Sequence, residues 1–175
     1  KAIVFEGPED YHKRLNDKKL KVNENSILII RGCGPVGYPG SAEVVNMQPP
    51  DRLLKKGIRH LPTLGDGRQS GTSESPSILH VSPESAVGGD LGIVKTYDKI
   101  KIDLNKRRVD LLISQAEFKK RRKNKKVFKP NNQTPWQEIF RNTVGQLDDG
   151  ACINSRGKYL DLSLIHISEP TRPIH

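Results

Sequence analysis

The sequence predicts a mixed α/β fold: a small barrel or curled sheet with helices packed outside it. Three observations point there. Short runs rich in Val, Ile, Leu and Phe recur, such as "AIVFE" near the start and "SILIIRG" at residues 26–32. Glycine and proline separate these runs. Two helix-opening signatures, "SQAE" and "TPWQ", follow late in the chain. Short β runs cut by Gly and Pro favour a curled or closed sheet, and capped amphipathic segments supply the layer that covers it. A length of 175 residues suggests one domain. A domain of that size buries ~70% of the surface its unfolded chain exposes.

The elements follow in order. "KAIVFEG" reads as a strand. "PEDYHKRLNDKKL" reads as a polar helix with acids early and bases late, the arrangement the helix dipole favours. "SILIIRG" is a continuous apolar run of strand length that ends at the glycine cluster "GCGPVGYPG". "AEVVNMQPPDRLLKKGI" is expected to start as a helix, break at Pro49-Pro50 and resume as a short turn. "SILHVS" reads as a further strand with His80 packed on it. In "SPESAVGG", Ser82 is the expected cap, Pro83 the first helical residue and Gly88-Gly89 the stop. "LGIVKTYD" alternates apolar and polar residues, and "IKIDL" and "RVDLLI" form a hairpin about residues 105–107. "SQAE" is a capping box that opens a basic helix. "TPWQ" opens another, with Trp136, Ile139, Phe140, Val144 and Leu147 on one stripe. "KKVFKPNNQ" is the segment expected to be flexible, and no internal repeat occurs.

Composition narrows the function classes. With 34% hydrophobic and 29% charged residues the chain is polar but not of disordered type. No apolar run approaches the ~20 residues of a membrane helix. The net charge of +10 invites a nucleic-acid reading. However, "KKRRKNKK" at residues 119–126 holds seven of the 30 basic residues. Such a run is a solvated helix end or a contact for an acidic partner. No aromatic side chain lies within it to stack on single-stranded bases. Cys33 and Cys152 stand far apart, which suits a reduced, cytoplasmic protein without a disulfide framework. Two cysteines without spaced histidines do not make a zinc site. The opening "KAIVFEG", without an initiator Met, is expected to be the middle of a longer protein.

Two glycine-rich loops stand out, "RGCGPVGYPGSAE" at residues 31–43 and "GDGRQSGTSESPS" at residues 65–77. Neither ends in the Gly-Lys-Ser/Thr of a phosphate-binding loop. On composition alone they are surface turns, or loops whose glycines permit close backbone approach or positive φ.

Longer stretches carry a resemblance. "GPVGYPGSAEVVNM" and "LGDGRQSGTSESPSILHVSPESAVGG" resemble the signature segments of the dihydroxy-acid and sugar-acid dehydratases. "GDLGIVKTYDKIKIDLNKRRVDLLIS" is similar to that family's next segment. "TPWQEIFRNTVGQLDDGAC" and "GDGRQSGTS" resemble its pentonate (arabinonate and xylonate dehydratase) branch. The likeness runs from residue 1 to about residue 152 and corresponds to the family's C-terminal domain. Residues 1–161 are therefore read as that domain, without the N-terminal cluster-binding domain. Residues 162–175 are read as a non-native tail, because "LSLIHISEPTR" at residues 162–172 resembles a translated sequencing adapter. His166 and His175 are accordingly not read as ligands.

The resemblance implies a β-barrel-like domain flanked by helices. It also implies a hydro-lyase that converts a sugar acid to a 2-keto-3-deoxy acid with a [2Fe–2S] cluster and Mg²⁺. Ser70 in "GRQSGT" matches the family's catalytic base, and Thr72 a residue that hydrogen-bonds substrate at the same centre. Glu43 matches a Mg²⁺ ligand, and its carboxylate is the hard oxygen donor that ion takes. The cluster cysteines would come from the N-terminal domain, leaving Cys33 and Cys152 structural. Local chemistry offers other roles: Glu43 in the first turn of a helix, and Ser70 and Thr72 bonded to their own loop. Asp66 and Arg68 are read as loop-structuring. The resemblance further implies a cytoplasmic homo-oligomer (dimer or tetramer) when complete, with no membrane or nucleic-acid partner. The isolated chain would be inactive. A dihydroxy-acid dehydratase of branched-chain amino-acid biosynthesis is the alternative. A basic nucleic-acid-binding module using residues 119–129 is the reading from another class.

Overall fold

The computed structural model describes residues 1–39, 43, 47–68, 75–125 and 131–153. Its centre is a parallel sheet of β1 (Ala2–Glu6), β2 (Ile27–Arg31), β3 (Thr63–Gly65) and β4 (Ser77–Ile78), hydrogen-bonded in that order. Ala2 pairs with Ile27 and Glu6 with Arg31, while Leu28 pairs with Thr63 and Ile30 with Gly65. "AIVFE" and "ILIIR" are apolar on both faces because a parallel sheet is covered on both.

Alternation divides these residues between two cores. Ile3, Phe5, Leu28 and Ile30 pack with Tyr11 of α1 (Gly7–Arg14), Leu53 of α2 (Asp51–Leu54), Met47 and Leu61. Ala2, Val4, Ile27, Ile29 and Leu64 face the other way, onto Leu91 and Val94. Against this second core lie Ile100 and Ile102 of β5 (Ile100–Asp103) and Leu111 of β6 (Arg108–Leu111), the antiparallel hairpin. The free edge of β1 is covered, since Tyr97 N donates to Ala2 O at 2.7 Å and Ala2 N to Asp98 O at 2.9 Å. Covering an edge in this way removes a template for strand addition. Among the described residues the sheet runs from β1 to β4 without closing.

Both N-cap residues open helices where expected, without the return bond of a full capping box: Glu117 pairs with Arg121, and Gln137 Oε1 accepts from Gln133 N. Ser114 Oγ accepts from Glu117 N at 3.2 Å to start α3 (Gln115–Lys123), and Thr134 Oγ1 accepts from Gln137 N at 3.3 Å to start α4 (Pro135–Thr143). The basic run is not uniformly solvated. Arg121 turns inward to bond both oxygens of Asp98 at 2.5 and 3.1 Å, with Ile93 O at 3.2 Å. The α4 stripe divides: Phe140, Val144 and Leu147 are half-buried, while Trp136 and Ile139 remain 77% and 51% exposed.

Several expectations are corrected. The first helix stops at Arg14, and a 3-10 turn at Lys18–Leu20 follows, capped by Asp17 accepting from Lys19 N. Strand β4 has two residues, and His80 beyond it is exposed with φ 58°, so it is not a packed strand residue. Ser82 is not a helix cap. The Ser82-Pro83 bond is cis, and Glu84 precedes, without a side-chain cap bond, a 3-10 turn at Ser85–Val87 that Gly88 ends at φ 108°. The alternating stretch "LGIVKTYD" begins within a 3-10 turn at Asp90–Ile93. The helix expected at the start of "AEVV" falls mostly outside the described residues, and Glu43 itself sits in a β-bridge. Residues 126–130 of the segment expected to be flexible, and the tail from residue 154, also lie outside them.

Tyr11 ties α1 to the turn before α2. Its phenol donates to Gln48 O at 3.2 Å and accepts from Gln48 N at 2.8 Å, while its ring meets Phe5 edge-on at 5.2 Å. Tyr11→Phe keeps the ring contact and loses both bonds. Urea unfolding should show a loss of about 1 kcal/mol, and an unchanged midpoint would contradict the role assigned to the hydroxyl.

Candidate functional site

The two glycine-rich loops leave the carboxyl ends of neighbouring strands. One follows β2 at Gly32 and the other follows β3 at Asp66. In open parallel sheets, ligands gather at that end. Adjacent strands lie ~4.8 Å apart, so the loops begin side by side. Side chains then keep them together.

Asp66 is completely buried. Its Oδ1 accepts from Cys33 N at 2.9 Å, and its Oδ2 from Gly32 N at 3.1 Å and from Ser85 N at 2.9 Å. The Ser85 hydroxyl donates to the same Oδ2 at 2.5 Å and accepts from Gly32 N at 2.9 Å. Glu84, also completely buried, holds the next stretch of the first loop. It accepts from Val36 N at 2.9 Å, Gly37 N at 2.8 Å and Gln146 Nε2 at 2.9 Å, and its own N–H donates to Gln146 Oε1 at 2.8 Å. A buried carboxyl is tolerated when its oxygens are satisfied, and here backbone N–H groups do most of that.

This arrangement explains two of the glycines. A Cβ on Gly34 would lie 2.4 Å from Glu84 Oε2, and one on Gly67 would lie 2.5 Å from the carbonyl oxygen of Cys33. Either side chain would force carboxyl and backbone apart, so the spacing of Gly in these loops reflects close approach.

Of the three residues matched by resemblance, Glu43 is described and is exposed. It forms a parallel β-bridge with Arg68, so the two loops meet a second time, two residues before Ser70. Ser70 and Thr72 lie outside the described residues. Asp66 is loop-structuring, as expected; Arg68 is exposed and contributes its backbone to the bridge. Among the described residues no group of three or more His, Cys, Asp or Glu is placed to hold a metal ion. Glu84, Ser85 and Gln146 went unread in the sequence. An acid next to a proline and close to two glycine-rich loops was the available signal, and the apparent Ser82 cap obscured it.

Beside the loops, where β1 and β2 end, lies a cavity of about 660 Å³. Glu6, Arg31, Lys95, Lys120 and Lys125 line it, together with Ser85 of the Asp66 clamp. Arg31 pairs with Glu6 and donates to the carbonyls of Leu91, Gly92 and Val94 at 3.2, 2.9 and 2.8 Å. Partial burial lowers the pKa of the Lys125 ammonium, which donates to Gly89 O at 2.9 Å. Part of the basic run therefore forms a cavity wall of the size small-molecule sites have.

Comparison with known proteins defines the class. The chain matches the model of the dihydroxy-acid/6-phosphogluconate dehydratase C-terminal domain over residues 1–151 and belongs to that family. It is 58% identical to D-xylonate dehydratase of Caulobacter vibrioides over 163 residues, which cover 93% of this chain and 27% of that protein. It is 44% identical to L-arabinonate dehydratase of Rhizobium leguminosarum bv. trifolii, covering 77% of this chain and 23% of the relative. A dihydroxy-acid dehydratase of Thermodesulfovibrio yellowstonii is 39% identical, with 87% and 27% covered. The chain thus spans about a quarter of the length of the curated relatives it matches.

Two measurements check the geometry. Both cysteines are free; Cys33 is buried and Cys152 exposed. Burial, reinforced by nearby Asp66, Glu9 and Glu84, pushes the Cys33 thiol far above its ordinary pKa. The thiolate is the reactive form. In the folded protein near neutral pH, iodoacetamide should label Cys152 quickly and Cys33 only after denaturant is added; equal rates would refute the burial. Glu84→Gln places an amide donor against Gly37 N or against the Val36 and Gln146 donors. Denaturant unfolding should lose about 1–3 kcal/mol, and wild-type stability would mean that these bonds hold little.

Proposed function

We propose that this chain is the C-terminal domain of a hydro-lyase that dehydrates a sugar acid of the pentonate type to a 2-keto-3-deoxy acid. The observation supporting this is the backbone bridge between Glu43 and Arg68, which joins the two loops that resemble the family's signature segments. Similarity to relatives named for xylonate and arabinonate supports the pentonate branch. The cavity's several ammonium groups suit an acid substrate.

In this reading Ser70 takes the proton from C2 of the acid. The bond from C3 to its hydroxyl breaks with loss of water, and the resulting enol tautomerises to the keto acid. Thr72 hydrogen-bonds the substrate at the same centre and holds C2 near the Ser70 oxygen. A serine hydroxyl needs a lowered pKa to act as base, and a cation beside it would serve that end. Glu43 has the exposure and the hard oxygens to be one ligand of Mg²⁺. Bound there, Mg²⁺ would supply charge stabilisation for the enolate-like state. The chain's cysteines do not fit a [2Fe–2S] cluster, which takes four cysteine thiolates: there are two, Cys33 buried and Cys152 exposed. A cluster would take its ligands from an N-terminal domain of the whole protein. Closure of the sheet into a barrel-like domain, a cytoplasmic location and assembly as a dimer or tetramer belong to the same proposal.

The dihydroxy-acid dehydratase alternative is favoured by the 39%-identical relative of that name. The nucleic-acid reading is weaker, because Arg121 is committed to Asp98 and Lys125 to Gly89 O. The test is an assay of the full-length protein on xylonate, arabinonate and 2,3-dihydroxyisovalerate, with keto acid measured. We expect kcat/KM at least about 10-fold higher on an aldonate, a gap of ~1.4 kcal/mol in transition-state binding. The opposite order would install the alternative. Ser70→Ala should lower kcat by about 10²–10⁴-fold, and retention of wild-type kcat would remove Ser70 as base.

A further inference from the structure

Asp66 is the first residue past β3 and Gly32 the first past β2. Parallel neighbours are hydrogen-bonded only as far as the strands run, and nothing in the ladder keeps their following loops together. Asp66 reaches sideways across that gap and takes the amides of Gly32 and Cys33, while Ser85 locks the carboxyl from a third segment. Among the described residues Asp66 is paired with no cation. All four of its donors hold the chain at the mouth of the two loops. One further residue, Gly67, separates it from Arg68, whose backbone bridges Glu43. Three residues separate it from Ser70.

We propose that Asp66, locked by Ser85, is a positioning residue for the dehydration: it sets the separation between the loop that carries Glu43 and the loop that carries Ser70. The inference rests on the roles given to Glu43 and Ser70 above. Proton transfer depends steeply on distance, and a displacement of ~1 Å costs on the order of 10²-fold in rate. Substrate affinity is spread over many contacts and is less sensitive. Loosening the clamp therefore lowers kcat at nearly constant KM. A residue with a purely structural role would lower the folded fraction and leave kcat per folded molecule alone.

The experiment uses the full-length protein with Asp66→Asn, Ser85→Ala and, as a stability control, Arg52→Ala. Arg52, in α2, donates to Val22 O at 2.8 Å, and none of its hydrogen bonds among the described residues goes to either loop. Asparagine leaves at least one of the amides facing Asp66 without an acceptor. Alanine removes the hydroxyl that bonds both Asp66 and Gly32. Each variant is assayed for kcat and KM per folded molecule, and amide hydrogen exchange is followed over residues 31–37 and 84–85. We expect kcat to fall about 100-fold for Asp66→Asn and about 10-fold for Ser85→Ala. KM should stay within about threefold, and exchange should be faster in both segments. Arg52→Ala should lower the melting temperature and keep kcat. If Asp66→Asn does not fold, Ser85→Ala decides. Wild-type kcat in the folded variants, or unchanged exchange in Ser85→Ala, overturns the proposal. A wild-type protein inactive on every acid tested overturns the functional reading and the catalytic part of this inference. The exchange measurement then still decides whether the clamp joins the two loops.

Discussion

One buried carboxyl organises this domain. Asp66 accepts four hydrogen bonds, three from backbone amides and one from a hydroxyl, in a position with no exposure to water. Oδ2 shares three of these donors, whereas Oδ1 takes one, from Cys33 N, and losing that bond in a low-dielectric interior is costly. The surrounding chain accommodates it. Gly67 keeps the second loop close to Cys33, the turn at Ser85 must come to the mouth of β2 and β3, and Glu84 can then reach Val36 and Gly37. Gln146 closes the arrangement from the far end of the sequence. Segments separated by more than a hundred residues meet through a handful of buried polar groups.

The sheet explains why the functional elements collect where they do. Four parallel strands send all their following loops to one end. Glu6, Arg31, Gly32 and Asp66 all lie at or just beyond strand ends there. The same end carries the basic cavity, walled in part by residues from α3. The excess positive charge is therefore only partly a solvated surface. Arg121 anchors α3 through Asp98 and Ile93 O, and Lys125 seals the turn at Gly89. Charges spent on these internal contacts are not available to a polyanion.

Membership of the dehydratase family and the local geometry support each other without being the same statement. A fold alone does not name a reaction. Here the family's signature stretches are the ones that form the clamped loops, and glycine is present where a Cβ would strike a carboxyl or a carbonyl. The stretch matched is about a quarter of its relatives' length.

Local features were legible in the residue order. The apolar runs of β1 and β2, the hairpin and the Ser114 and Thr134 caps depend on residues a few positions apart, and these formed as their patterns predict; Gly88 ends a 3-10 turn in place of the expected helix. The residue order also marked Glu43 and the two glycine-rich loops through a long motif. Features that need contacts between distant segments emerged with packing. His80 turned out exposed because β4 ends after two residues. Glu84 displaced Ser82 as the residue that matters because its partners, Val36, Gly37 and Gln146, lie about fifty to sixty positions away. Trp136 and Ile139 stayed exposed although their spacing is that of a buried stripe. Periodicity reports which face a segment could bury. Which side chains become buried, and which buried acids find their donors, is settled by how the segments pack.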